Sequence, residues 1–236
     1  MRTHLEKPAS ERVPKMAWPE TIVWVRHAQS EGNLKTVDER AAWNVASPDY
    51  KLTSLGRKQA RITGEFLRKK FGKFDVYYVS YYDRSRETMK IMYPDARVYE
   101  DPRLAEAQRG IWNSLTKQQI DELFPKESER KQREGLYHHR PLGGENWPDI
   151  ELRIHSFLGT LSRDCGGQKV LIVAHGHWLL LYQRLIHHFS IEETVKRYEN
   201  GIFKNASVTI YKGKTIGGKS RLVLAGENIV PWEGKI

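Results

Sequence analysis

The chain carries a single cysteine, Cys165, in 236 residues, so no disulfide can form within it and no cysteine cluster can hold a metal. Long apolar runs are missing as well. Stretches such as Val170 to Ala174 fall far short of the roughly 20 apolar residues that a membrane-spanning helix needs. Residues 1–20 are charged and contain proline, with none of the apolar core of a secretory signal. They lack hydrophobic periodicity and are expected to form a flexible arm. A reducing cytoplasm is the expected setting, and a membrane is not an expected partner. There is no internal repeat, and the aromatic–glycine pattern of RNA-binding modules is also missing. The net charge of +10 is explained as well by small anionic substrates as by nucleic acid, and without such a module nucleic acid is not the expected partner. Its basic residues are spread along the chain, with local excesses at Lys51–Lys73 and Lys196–Arg221. A broad positive field of that kind suits small anionic substrates.

What the sequence does have is alternation. An apolar fraction of 39% and this length suit one domain, residues 21–236, with a core of its own. Thr21 to Arg26, Asp75 to Ser80, Arg97 to Tyr99, Lys169 to Ala174, Ser207 to Tyr211 and Leu222 to Leu224 read as strands. Helical patterns lie between them. One starts at the N-cap Thr53 and runs to Phe71, with Leu55, Ile62, Phe66 and Leu67 as its apolar face. Others span Arg84 to Met92, Thr116 to Glu134 and Trp178 to Ile186. The clearest spans Pro148 to Leu161, where Ile150, Ile154, Phe157, Leu158 and Leu161 form one stripe. Strands alternating with helices predict an α/β fold of three layers, α/β/α, around a mostly parallel sheet.

Chemically capable residues recur where these strands end. Arg26 and His27 end the first, Arg84 follows the second, and His175 and Gly176 end the fourth. In open α/β sheets, ligands bind at the carboxyl ends of the strands. If these strands are parallel neighbours, two histidines and two arginines meet at one edge, joined by Asn33. Such a cluster suits an anion, and Glu106 would add an acid. The loop from Gln29 to Lys51 is long enough to cross the sheet near that edge.

The order of the motifs carries a family resemblance. Arg26-His27-Ala28-Gln29-Ser30-Glu31-Gly32-Asn33 resembles the Arg-His-Gly-Glu-Ser-x-x-Asn signature of the histidine phosphatase superfamily, also called phosphoglycerate mutase-like. Leu52-Thr53-x-x-Gly56-x-x-Gln59-Ala60 is similar to its first-helix pattern, and Ser80-x-x-x-Arg84-x-x-x-Thr88 to the segment with its second phosphate arginine. Leu104-x-Glu106 with Gly110-x-Trp112 resembles its acid-bearing loop. Gly143-Gly144-Glu145-x-x-x-Asp149-x-x-x-Arg153 and Val173-Ala174-His175-Gly176 complete the series. Six motifs in order, from about residue 21 to 231, are far more specific than any one of them.

The resemblance implies a phosphohistidine mechanism. His27 would attack phosphorus, its other ring nitrogen bound to an acceptor that fixes the tautomer. Arg26, Arg84, Asn33, His175 and the Gly176 N–H would hold the phosphoryl oxygens. Glu106 would be the acid and base, which calls for apolar or acidic neighbours that raise its pKa. With the positive charge supplied by side chains, neither a metal nor a cofactor is required, and a small phosphorylated substrate is the implied partner. Gln29, Arg109, Arg140 and His177 are candidate substrate contacts.

Departures from the pattern favour hydrolysis. Glu106-Ala107-Gln108-Arg109-Gly110 stands where mutases of the family carry Glu-Arg-His-Tyr-Gly, so the mutase arginine and tyrosine are missing from their places. A phosphoglycerate mutase is the alternative. A metal hydrolase built on His175-x-His177, His138-His139 and His187-His188 lacks an accompanying carboxylate set. His187 and His188 read as a solvated helix end. A non-catalytic anion- or nucleic-acid-binding protein would have little use for a full set of reactive positions.

Overall fold

Strand β1 (Thr21–Arg26) lies inside a single six-stranded sheet with the order β3-β2-β4-β1-β5-β6. The computed structural model describes residues 17–201 and 203–236. The other strands are β2 (Val76–Val79), β3 (Val98–Glu100), β4 (Lys169–Ala174), β5 (Val208–Ile216) and β6 (Lys219–Ile229). β1 pairs in parallel with β4, which pairs in parallel with β2, and β2 with β3. β5 joins β1 antiparallel and forms a hairpin with β6. Both hairpin strands run longer than the apolar pattern suggests. Their outer halves are largely exposed and polar, and they are paired through the Gly217-Gly218 turn, where both φ angles are positive.

The helices are α1 (Val37–Ala41), α2 (Ser54–Phe71), α3 (Asp83–Met92), α4 (Lys117–Leu123), α5 (Pro125–His138), α6 (Trp147–Asp164), α7 (Gly176–His187) and α8 (Ile191–Glu199). They cover both faces of the sheet, giving the three layers expected. Alternation along β1 shows why. Ile22 and Trp24 face α6 and α7, among Ile154, Phe157, Trp178 and Leu181. Val23 and Val25 face α2 and α3, among Leu67, Met89 and Met92. Trp24 sits 4.7 Å from the Trp178 ring and 4.8 Å from Tyr182. Truncating a side chain so placed costs about 3–5 kcal/mol.

Several expectations need correction. Leu55 is 40% exposed and does not belong to the buried face of α2, which is made of Gly56, Gln59, Ala60, Thr63, Gly64 and Leu67. Leu55 falls beside that face, which begins with Gly56 in the same turn, and points to solvent. Residues 1–16 of the expected arm lie outside the described residues. Residues 18–20 are tied to the body: Trp18 N–H donates to Ser220 Oγ at 3.1 Å, and the Glu20 carbonyl accepts from Gly213 N–H at 2.9 Å. The segment after Thr116 is two helices broken at Phe124, and α5 bends at Gly135, where φ is 68°. The short helices α1 and α8 are not among the expected elements; α1 is too short to show a period, whereas α8 does carry one, with Ile191, Val195 and Tyr198 on one face. Among the described residues, no helix is long and apolar enough to cross a membrane.

Candidate active site

The ends of β1, β4 and β2 bring the predicted residues to one edge of the sheet. His27 follows β1 directly, and its N–H donates to the Ala174 carbonyl at 2.9 Å. Three distant segments pin this turn. Ala28 N–H donates to Thr88 Oγ1 at 3.0 Å, and Thr88 Oγ1 donates to the Arg84 carbonyl at 2.6 Å. Asn205 Nδ2 donates to the His27 carbonyl at 3.1 Å. Helix α2 arrives through Thr53, whose side chain caps Gly56 N–H at 2.9 Å. A Cβ on Gly56 would lie 2.0 Å from the Gln29 carbonyl oxygen, so only glycine lets α2 approach this closely.

His27 is 3% exposed, with Nδ1 2.8 Å from the Ala28 carbonyl oxygen. A carbonyl can only accept, so Nδ1 carries the proton and Nε2 presents a lone pair. Arg84 Nε donates to that Nε2 at 3.2 Å. Burial, then the charges of Arg84 and Arg26, hold the His27 pKa well below the ordinary imidazole range. The ring is neutral, and its free nitrogen faces cations.

Arg84 also reaches His175, its Nη2 lying 3.3 Å from Nδ1. Because Arg84 can only donate, Nδ1 of His175 accepts, and Nε2–H donates to Ser80 Oγ at 2.8 Å. His175 is 1% exposed, and burial, Arg84, His27 and Arg26 lower its pKa well below the usual value. Arg26 donates to the Phe203 carbonyl, while its Nε is buried without a partner among the described residues. Arg84 Nη1 donates to the Ser47 carbonyl at 2.6 Å, and its guanidinium lies 4.6 Å from the Tyr82 ring centre. Burial lowers the pKa of both arginines. Asn33 Oδ1 accepts from Ser30 N–H at 2.9 Å and from Asn205 Nδ2 at 3.3 Å, which leaves its own amide N–H groups for another acceptor. Gly176 opens α7, with His175 as N-cap, so its N–H is one of the free donors of a helix start.

Glu106 closes the group. Its Oε2 lies 3.9 Å from His175 Nδ1, and its Oε1 accepts from Ala107 N–H at 3.0 Å. The buried arginines Arg26 and Arg84 both feel its charge, so cations belong to its surroundings together with Ala105 and Ala107. The loop owes its shape to Arg153, which donates to the Arg103 and Ala105 carbonyls, both at 2.8 Å, and forks onto Glu145 at 2.8 and 3.0 Å.

Arg26, His27, Asn33, Arg84 and Glu106 line a cavity of about 240 Å³, together with Arg109 and His177. Two expected substrate contacts lie elsewhere. Gln29 turns its Oε1 to Thr53 Oγ1 at 2.8 Å, bracing the start of α2, and the neighbouring Ser30 lines the cavity instead. Arg140 is exposed and paired with Asp149 at the start of α6. His187 is half-buried, not a solvated helix end, with Nε2 2.8 Å from the Tyr211 hydroxyl. Burial lowers its pKa. Among the described residues, no three His, Cys, Asp or Glu side chains converge as a metal would need. Ser80 and Asn205 escaped sequence reasoning as site residues. Ser80 stood within a quoted motif, whereas Asn205 lies in a loop with no local signal. Arg40, Tyr50, Trp112 and Tyr198 line the cavity from short helices and loops.

A sequence model of the Histidine phosphatase superfamily (branch 1) matches residues 22–225. The chain belongs to the histidine phosphatase superfamily. Its relatives include a 2,3-bisphosphoglycerate-dependent phosphoglycerate mutase of Rhizobium etli, 34% identical over 67% of this chain and 75% of the relative. Among solved structures, the α-ribazole phosphatase of Shigella flexneri superposes with a TM-score of 0.69 at 19% identity, covering 89% of this chain and 98% of the other. A mycobacterial glucosyl-3-phosphoglycerate phosphatase, solved with VO3, gives 0.67 at 24% identity over 89% and 99%. Superfamily membership places the chain among phosphatases and mutases, and these structures share its fold.

Proposed function

We propose that this histidine phosphatase superfamily member is a metal-independent phosphomonoester hydrolase working through a phosphohistidine on His27. The observation that carries this reading is the Nδ1–H bond to the Ala28 carbonyl, which leaves the neutral Nε2 lone pair facing Arg84. In the proposed first step, Nε2 bonds to phosphorus as the ester P–O bond breaks, and Glu106 gives its proton to the leaving oxygen. In the second, a water oxygen bonds to phosphorus, the N–P bond breaks, and Glu106 takes the water proton. Arg26, Arg84, Asn33 and the Gly176 N–H hold the equatorial oxygens, where charge accumulates, and His175 joins them as a donor through Nδ1 once the bound anion has brought a proton to that ring. These cations and donors take the part that a metal ion plays in other phosphoryl-transfer sites.

The missing mutase arginine and tyrosine favour water over a second substrate as acceptor. The mutase alternative has its own support in the Rhizobium etli relative. The deciding experiment assays phosphomonoesters in EDTA with wild type and His27→Ala, alongside interconversion of the phosphoglycerates primed with the bisphosphate. Hydrolysis that resists EDTA and is lost in His27→Ala is expected, with trapped phosphohistidine on rapid acid quench. Hydrolysis surviving His27→Ala would sink the mechanism, and phosphoglycerate turnover exceeding hydrolysis would establish the mutase.

A further inference from the structure

The site has a second room. A cavity of about 390 Å³ adjoins the one around His27. The two share Val37, Ala107, Arg109, Trp112, His177 and Tyr198 as a common wall. Leu136, Pro141 and Trp147 make the outer room largely apolar. A three-carbon phosphoester would fill only the inner room.

The wall has unmet polar demands. His177 is 7% exposed, held between the rings of Trp147 at 4.8 Å and Tyr198 at 5.1 Å, and its Nε2 has no partner among the described residues. Trp112 Nε1, which can only donate, is likewise buried and unpartnered. Burial pushes the His177 pKa down to about 4, so the ring is neutral. Such groups normally find partners, since leaving them unsatisfied is unfavourable.

The cations around the wall are equally unmatched. Nearby Lys117 pairs with Asp121, Arg130 with Glu127 and Arg153 with Glu145. Among the described residues, Arg40, Arg109 and Lys131 have no carboxylate partner. Lys131 lies 3.9 Å above the Trp112 ring. Arg109 lines both cavities, Arg40 the inner one and Lys131 the outer one, and the Arg109 charge lowers the pKa of both others. Of the carboxylates in the outer room, Glu145 is taken by Arg153 and Asp38 accepts from Lys117 N–H, so cations left without a carboxylate there suit a bound anion.

We infer that the substrate is a phosphomonoester with an extended, partly apolar body and a second anionic group, the body lying in the outer room and that anion on Arg109. This rests on the phosphatase reading above. The phosphoryl group takes the inner cavity. The body lies along Trp112 and Tyr198, its oxygens meeting Trp112 Nε1 and His177 Nε2, and the second anion lies between Arg109 and Lys131.

The test uses naphthyl phosphate, carboxynaphthyl phosphate and 3-phosphoglycerate with the full chain, wild type and Arg109→Gln. In the wild type, kcat/KM is expected to be highest for the carboxynaphthyl ester. In Arg109→Gln, the ratio of carboxynaphthyl to naphthyl kcat/KM should fall about tenfold, the effect of losing one charge-assisted hydrogen bond. An unchanged ratio, or 3-phosphoglycerate as the best substrate, would overturn the inference. Binding of the non-hydrolysable carboxynaphthyl phosphonate and its uncharged-ring counterpart, measured by calorimetry, gives the same ratio without turnover. Failure of the hydrolytic mechanism therefore leaves this measurement standing. Equal binding of both phosphonates by wild type would refute the second anion site whatever the chemistry at His27.

Discussion

His175 and Ser80 end neighbouring parallel strands and are joined side chain to side chain, Nε2 to Oγ, at 2.8 Å. That bond takes the Nε2 proton and turns the Nδ1 lone pair towards Arg84. Ser80→Ala removes the acceptor and leaves a buried N–H unsatisfied, which costs about 1–3 kcal/mol. The free ring can then adopt the other tautomer and compete for the geometry of Arg84. The expected outcome is a lower unfolding midpoint together with a fall in kcat of at least about tenfold, or ~1.4 kcal/mol of barrier. Unaltered single-turnover rates would show that Ser80 is structural only.

An arriving phosphoryl group changes the balance that keeps both active-site imidazoles neutral. Burial and the arginines lower the His27 and His175 pKa values in the free protein. A bound dianion offsets the arginine charges and raises both pKa values. Binding of tungstate, which is a dianion throughout at pH 7, should therefore be accompanied by net proton uptake from buffer. Calorimetry in buffers of different ionisation enthalpy reads this directly, and proton release would contradict it.

The pH dependence of stability has the same origin. His27, His139, His175, His177 and His187 all have lowered pKa values in the folded chain, mainly through burial. Unfolded, each imidazole takes up a proton near pH 6.5, so at pH values below about 6.5 the unfolded state binds more protons. Stability should be full above about pH 7 and decline as the pH falls through about 6.5 towards 5. Thermal unfolding across that range checks the sign, and a midpoint that rises on acidification would be incompatible with it.

Gly56 sets how closely α2 approaches the catalytic turn. In Gly56→Ala, the new methyl carbon would meet the Gln29 carbonyl at 2.0 Å, so the turn carrying His27 must move. A loss of about 1–3 kcal/mol in stability is expected. A loss of phosphohistidine formation should accompany it even at temperatures where the variant is folded. Full activity in the folded variant would show that the turn tolerates the shift.

Arg153 holds the loop of Glu106 by its carbonyls and lines neither of the two cavities. Arg153→Lys keeps the charge but lacks the fork that spans Glu145 and two carbonyls. It should lower kcat more than it raises KM, by about tenfold or more. A change in KM alone would relocate its role to binding.

How legible the chain was depended on periodicity. β1 and β4 were evident because both of their faces are buried, which makes continuous apolar runs, and α6 because its apolar residues form one helical stripe. Arg26, His27 and His175 stood out as candidates because they end those strands, and Arg84 because it closely follows β2. What could not be read is held by tertiary structure. Asn205 reaches His27 from a loop, and Arg40 and Tyr198 enter the cavity from helices of 5 and 9 residues. Gln29 and Arg140 were misplaced for the same reason: sequence proximity to a site says nothing about which way a loop side chain turns.

The position of β1 has a consequence for how the protein comes into being. Ile22 is hydrogen-bonded in register with Val170 on one side and Tyr211 on the other. The turn that carries His27 therefore follows a strand whose two neighbours come from distant parts of the chain. Closing such distant contacts is slow. Until both neighbours have paired with β1, nothing holds the His27 turn against Arg84 and His175, so in the proposed mechanism competence for phosphoryl transfer waits on these long-range pairings.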